Sequence, residues 1–239
     1  SKSKAGDANA MLASMDDESI YGPEMHRLGF GEAVGMGLLT DYKVLVLAVD
    51  EQSVAQTFQQ QLSDEHDELS LSDAARIVGC WNGLAKRGQS EHSFGDDPAP
   101  MRRAVAFAGT IADSKAIQHL FSSVVEQYID VHGLDAAGDD QEPVLRTEVR
   151  HVDGSYNALE RNRELDWLKE ATPEGTCRVL TNARCLSEGV DVPALDAVLF
   201  LSSRKSVVDV VQSVGRVMRR AEGKNYGYII LPVGIPAGS

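Results

Sequence analysis

Residues 104–131 read AVAFAGTIADSKAIQHLFSSVVEQYIDV. The run Ala104–Ala108 is short, small and apolar, which predicts a buried strand; after Gly109-Thr110 the pattern turns helical and predicts a helix over 113–131. The same order returns downstream. Val144–His151 reads as strand and Tyr156–Lys169 as helix, Arg178–Thr181 and Ala197–Leu201 as strands, Ser206–Met218 as helix, and Tyr226–Leu231 as a last strand. Such alternation predicts an α/β fold, a three-layer domain with a mainly parallel sheet and helices on both faces. Upstream, 31–39 carries a short helical pattern, Lys43–Val49 reads as a further buried strand and Glu51–Leu62 as a helix. A helix over Ser72–Arg87 is expected to be capped by Ser72 and stopped by Gly88, with Ala75, Ile77, Val78, Trp81 and Leu84 on one side. Trp81 and Trp167 are expected in the core. Residues 89–100 and the acidic stretch 135–142 read as loops, and 1–18 as a flexible tail or linker.

The chain has 239 residues, 43% hydrophobic and 25% charged, which suits one large domain or two small ones and is too apolar for a disordered segment. Its longest uninterrupted apolar run, Val44–Val49, falls far short of a bilayer span, and no signal-peptide layout opens it. The expectation is a cytoplasmic protein with no membrane partner. Three cysteines and six histidines lack the spacing of a disulfide framework or a metal site, so no metal ligand set is expected. With 23 basic against 36 acidic residues the net charge is −13, which argues against a simple nucleic-acid binder. The distribution is uneven: from Cys177 onward eight basic residues face five acidic ones, leaving 15 against 31 before it.

Two stretches of this basic quarter carry chemistry. On a helix over 206–218, Val207, Val210, Val211, Val214, Val217 and Met218 share one face, and Gln212, Arg216 and Arg219 form a row almost opposite. An amide and two guanidinium groups stacked this way suit phosphate oxygens; the plain alternative is a solvated face with arginines favoured by the helix C-terminus. Upstream lies Thr181-Asn182-Ala183-Arg184-Cys185-Leu186-Ser187-Glu188-Gly189-Val190-Asp191-Val192-Pro193, beyond the C-terminal end of a strand, where ligands of open α/β sheets bind. Thr181 offers a hydroxyl for a phosphate, Gly189 permits close approach and Asp191 can accept from sugar hydroxyls. Residue by residue, an ordinary loop with a capping Asp and a turn Gly accounts for it better.

In order and together, these segments resemble the second RecA-like motor domain of superfamily 2 helicases and translocases. The stretch 181–193 looks like their motif V, Gln212-Ser213-Val214-Gly215-Arg216-Val217-Met218-Arg219 like motif VI, and Ala104–Thr110 like motif IV. The wider wording, including 186–196 and Gly227–Pro232, is most like the DNA-translocating motors of restriction enzymes, in particular single-chain type ISP restriction-modification proteins. Residues 19–50 resemble the crossing segment between the two lobes, and 51–239 the second RecA-like lobe itself. The resemblance implies an ATP-dependent enzyme acting on double-stranded DNA. It implies Arg216 and Arg219 as catalytic residues reaching the γ-phosphate, with Arg219 the arginine finger. It further implies Gln212, Gly189 and Asp191 at the nucleotide, and Thr110 and Thr181 on the DNA backbone. ATP and Mg2+ would be held mainly by the first RecA-like domain of the same parent chain.

The chain departs from a whole motor in having no G-x-x-x-x-G-K-[ST], so on its own it is expected to be inactive. Asp64-Glu65-His66-Asp67 imitates a DExH box but follows the polar stretch 59–63, not a buried strand. Asp50-Glu51 follows an apolar strand, yet without a phosphate loop Asp50 is expected to cap the next helix. Gly29-Phe30-Gly31 lacks the third glycine of a dinucleotide fingerprint, Val34 standing in its place. The rival functions are a non-enzymatic RecA-like adaptor that binds protein partners, and a stand-alone nucleotide hydrolase using Asp50 and Glu51.

Overall fold

A computed structural model describes residues 17–63, 69–87, 94, 97–134, 144–183, 192, 194–202 and 207–236, the side chains of 63, 207–209 and 212 excepted. Short helices α1 (Glu18–Tyr21) and α2 (Phe30–Gly35) lead to strand β1 (Asp41–Asp50), followed by α3 (Glu51–Thr57), α4 (Gln59–Ser63) and α5 (Leu71–Leu84). Then come β2 (Arg103–Phe107), α6 (Ile111–Val131), β3 (Arg146–Asp153), α7 (Ala158–Lys169), β4 (Thr176–Ala183), β5 (Ala197–Phe200), α8 (Val207–Val217) and β6 (Tyr226–Ile235). The six strands form one sheet in the order β1-β6-β5-β2-β4-β3, parallel at every pairing. All carboxyl ends therefore share one edge and all amino ends the other.

Helices α5 and α6 cover one face; α7 and α8 cover the other. Strand β2 sits between β4 and β5 with Ala104, Val105, Ala106 and Phe107 all buried, which is why it reads as an uninterrupted apolar run. Trp81 is buried on α5, its indole N–H donating to Leu145 O at 2.9 Å, and Trp167 is buried on α7. The buried Arg178 braces α7 from β4, donating to Trp167 O at 2.6 Å and lying over the Trp167 ring.

Several boundaries differ from the sequence reading for physical reasons. Helix α5 is capped by Ser70, whose hydroxyl accepts from Asp73 N at 3.1 Å, and not by Ser72. The expected helix over 51–62 is broken at Phe58, which is fully buried and has φ −109 and ψ 21. Asp50 does cap α3, accepting from Gln52 N at 3.0 Å. Strand β1 is not buried on both faces: it lies at the sheet edge, with Leu45 and Val49 inside while Tyr42, Val44 and Val46 are exposed. Strand β1 pairs with β6 over its whole length, from Asp41 to Asp50.

Glycines set how closely α5 approaches this end of the sheet. A Cβ on Gly83 would lie 2.7 Å from Leu47 Cδ1, and one on Gly79 2.8 Å from Val49 Cγ2. Gly83→Val is expected to lower stability by about 1–3 kcal/mol through overpacking, read as a drop in the urea midpoint at unchanged m.

Candidate phosphate-facing helix and nucleic-acid edge

Helix α8 starts beyond the carboxyl edge and returns to the amino edge, where Met218 O accepts from Thr40 N at 2.7 Å, one residue before β1. Val214, Val217 and Met218 are buried in the core between α8, α7 and the sheet. Val210 packs against that core, but Val211, assigned to the same face, is 46% exposed, so the apolar stripe is narrower than the valine count suggests. Arg216 is half-buried in the last turn and Arg219 is exposed just past the helix. The backbone places Gln212 one turn before Arg216; its side chain lies outside the described residues.

The end of α8 is held on several sides. Phe30 of α2 lies against Gly215, where a Cβ would stand 3.6 Å from Phe30 Cε1. Arg220 Nη1 donates to Gly37 O at 2.7 Å. On β6, Gly227 lets the strand pass directly beneath Val217: a Cβ there would lie 2.3 Å from Val217 O.

At the carboxyl edge, Thr110 caps α6 in a capping box. Its hydroxyl accepts from Asp113 N at 3.0 Å and its own N–H donates to Asp113 Oδ2 at 3.1 Å. Thr110 is exposed and keeps a hydroxyl hydrogen to donate. Thr181, expected to face DNA with it, is turned inward. It is fully buried and its hydroxyl donates to Ser114 O at 3.0 Å, because β4 lies between β2 and β3 under α6. Gly189 and Asp191 lie outside the described residues, as does the 64–67 box. The sheet thus separates Thr110 from Arg219 by roughly 15 Å, the length of a five-residue strand, and the two belong to opposite edges.

Two features escaped the sequence reading. At the carboxyl edge, the buried atoms Asn182 Oδ1 and Ser202 Oγ have no hydrogen-bond partner among the described residues. Ser202 stands beside Gly109, whose added Cβ would be 3.3 Å from its hydroxyl. The second feature is a buried chain: Ser114 Oγ to His151 Nδ1 at 2.8 Å, and His151 Nε2 to Asp153 Oδ2 at 2.9 Å. Asp153 also accepts from Ser155 N and Oγ, with Lys115 Nζ 3.6 Å away. The residue types imitate a hydrolytic triad, but Ser114, His151 and Asp153 are at most 5% exposed, so the chain ties α6 to the end of β3. Neither group shows a linear motif; both exist only once the strands are in register.

Hydrogen bonds from Ser155 and His151 hold the Asp153 carboxyl well below the usual carboxylate range. A depressed folded value means that its stabilisation is present above the unfolded value of about 4 and is lost as pH falls below it. Asp153→Asn is therefore expected to melt lower than wild type at pH 7, with the difference shrinking below about pH 4; a constant difference from pH 7 to 3 would contradict this.

Among the described residues no group of three or more His, Cys, Asp or Glu is placed to hold a metal ion. The two arginines and the hydroxyls suit phosphate oxygens.

The all-parallel sheet with helices on both faces is a RecA-like α/β fold, and residues 113–221 match the helicase conserved C-terminal domain. Over these residues the chain is similar to helicase C-terminal domains. Among solved structures it is similar to the "ATP-dependent Type ISP restriction-modification enzyme LlaBIII bound to DNA", at 44% identity and TM-score 0.81 over 99% of this chain and 15% of that one. A nuclease-deletion mutant of the Type ISP enzyme LlaGI, in complex with a DNA substrate mimic, matches at 35% identity and TM-score 0.52, over 94% of this chain and 12% of that one. The ATP-dependent helicase Lhr-Core of Methanocaldococcus jannaschii is 34% identical over 82 residues, 34% of this chain and 10% of its own. The chain thus spans a small fraction of the proteins it matches. No helix among the described residues is long and apolar enough to cross a membrane.

Proposed function

We propose that this chain is the C-terminal motor lobe of an ATP-dependent double-stranded DNA translocase of the restriction-modification type. Arg219 serves as arginine finger, Arg216 as a second γ-phosphate contact, and Gln212, Gly189 and Asp191 line the nucleotide cleft. The observation that carries the reading is the end of α8: its apolar side is locked into the core while Arg219 stands exposed beside a half-buried Arg216. Phosphoryl transfer spreads negative charge over the γ-oxygens, and fixed guanidinium donors stabilise it without further reorganisation. ATP and Mg2+ would be held mainly by the first RecA-like lobe of the parent protein, and the metal would supply neutralisation of phosphate charge there.

The carboxyl edge faces DNA, with the exposed Thr110 hydroxyl as a backbone donor. Thr181 acts from within, fixing β4 against α6 and so the start of the 184–193 loop. Closure of the lobes on ATP brings Arg219 to the phosphate and moves the Thr110 edge along the duplex. The strongly acidic body is consistent with few phosphate contacts, and so with weak binding whose salt dependence is shallow.

The test is ATP turnover by the full-length protein with and without duplex DNA. A translocase requires turnover that rises with DNA; the adaptor reading requires none. The exposed apolar face of β1, with Tyr42, Val44 and Val46, is the specific observation that favours a protein-binding role. It fits equally a contact with another part of the same motor. For the hydrolase reading, Asp50 is already engaged as the cap of α3.

A further inference from the structure

Past Val217 the chain turns through 218–225, with Gly223 at φ +73, into β6. Three successive carbonyls at this end, those of Val217, Met218 and Arg219, each accept from another segment. Lys224 Nζ donates to Val217 O at 2.6 Å and to Arg219 O at 3.1 Å, and Thr40 N donates to Met218 O at 2.7 Å. Lys224 Nζ also reaches Leu195 O at 2.6 Å, two residues before β5. An ammonium has three N–H groups to donate, and the carbonyls of Val217, Arg219 and Leu195 all accept from it. One half-buried charge thus binds the end of the arginine helix to the start of the central sheet. The negative end of the α8 dipole favours a cation there.

We propose that Lys224 is a positioning residue: its ammonium fixes the C-terminal end of α8, and with it the backbone from which Arg219 reaches the phosphate. The inference rests on the finger role proposed for Arg219. The lever is long, because a guanidinium extends well beyond its Cα, so a small rotation of the helix end displaces it by an ångström, enough to cost about a hundredfold in rate.

The same site makes the seat sensitive to pH. Burial pushes the Lys224 amine down to about 8, the buried Asp196 carboxylate opposing that shift. Asp196 accepts from Arg102 N and Arg103 N at 2.8 and 2.9 Å. Lys86, Asp97, Arg102, Glu174 and Asp196 share with Lys224 a cavity of about 440 Å³ at the amino edge. Within it Lys86 and Asp97 pair at 2.8 Å, while Arg219, Arg220 and Glu222 lie on the turn itself. A neutral amine has two N–H groups for three carbonyls and no charge for the helix end. Because the folded value lies below that of the unfolded chain, losing this proton raises folding stability between about pH 8 and 10. A fall in turnover over that range is therefore not unfolding caused by Lys224.

The experiment compares full-length wild type, Lys224→Arg and Lys224→Met in DNA-stimulated ATP turnover from pH 6.5 to 9.5, with melting temperatures at each pH. Wild-type kcat should fall with a midpoint near pH 8 while KM for ATP changes little. Lys224→Arg, charged throughout, should retain turnover at pH 7 and lose the alkaline fall. Lys224→Met should lower kcat at pH 7 by about tenfold or more. An alkaline limb unchanged in Lys224→Arg overturns the proposal, as does wild-type kcat in Lys224→Met; should the Met variant not fold, the Arg profile decides. Failure of the underlying reading is separable, since Arg219→Ala would then leave turnover intact, whereas failure of this inference alone leaves Arg219→Ala inactive.

Discussion

Arg219→Ala in the full-length protein is expected to lower DNA-stimulated ATP turnover by about a thousandfold or more, roughly 4 kcal/mol of transition-state stabilisation. Affinity for DNA should stay near that of the wild type, because the exposed Arg219 lies at the amino edge of the sheet, away from Thr110. Arg219→Lys should recover little, since an ammonium offers a point charge where a planar fork spans two oxygens. The loss should appear in kcat with KM for ATP nearly unchanged, as for an interaction made only in the transition state. The check is steady-state turnover paired with a DNA-binding isotherm at one salt concentration, because phosphate contacts are salt-dependent.

Gly227→Val should produce the largest loss of stability from a single added side chain, about 3 kcal/mol or more. Its Cβ would lie 2.3 Å from Val217 O, a backbone atom that cannot rotate away. Strand β6 is fixed on both sides by β1 and β5, so relief must come from α8. The variant should therefore lose turnover even at temperatures where it remains folded. Melting temperature and kcat measured on the same preparation check both parts; a Gly227→Ala protein with wild-type values for both would contradict the close seat of α8.

The α/β class was legible because strands such as β2 and β5 are apolar runs and helices α5, α6 and α8 carry their own period. Ala104–Phe107 and α6 needed no tertiary information, although the period places the helix start at Asp113 and misses the Thr110 capping box that begins it. Strand order was not legible. An apolar run looks the same at the centre of a sheet and at its edge, so Lys43–Val49 reads as doubly buried although β1 leaves Tyr42, Val44 and Val46 exposed. The arginines of α8 stood out as a periodic row, but their support did not. Lys224 reaches back over the helix end, Gly227 passes beneath it, and Thr40 arrives from the far end of the chain. Thr181 misled for the same reason: its place after a strand is local, whereas the burial of its hydroxyl under α6 depends on β4 lying between β2 and β3.

The central claim, that Arg219 meets the γ-phosphate as it transfers, is tested most directly by the binding of ADP with a metal fluoride, a mimic of the transferring phosphoryl group. Measured on the full-length protein with DNA present, Arg219→Ala should weaken the mimic by about a hundredfold or more and leave ADP itself unaffected, because the contact exists only in the transition state. Equal affinity of wild type and variant for the mimic would contradict the account and return Arg219 to a solvated helix end.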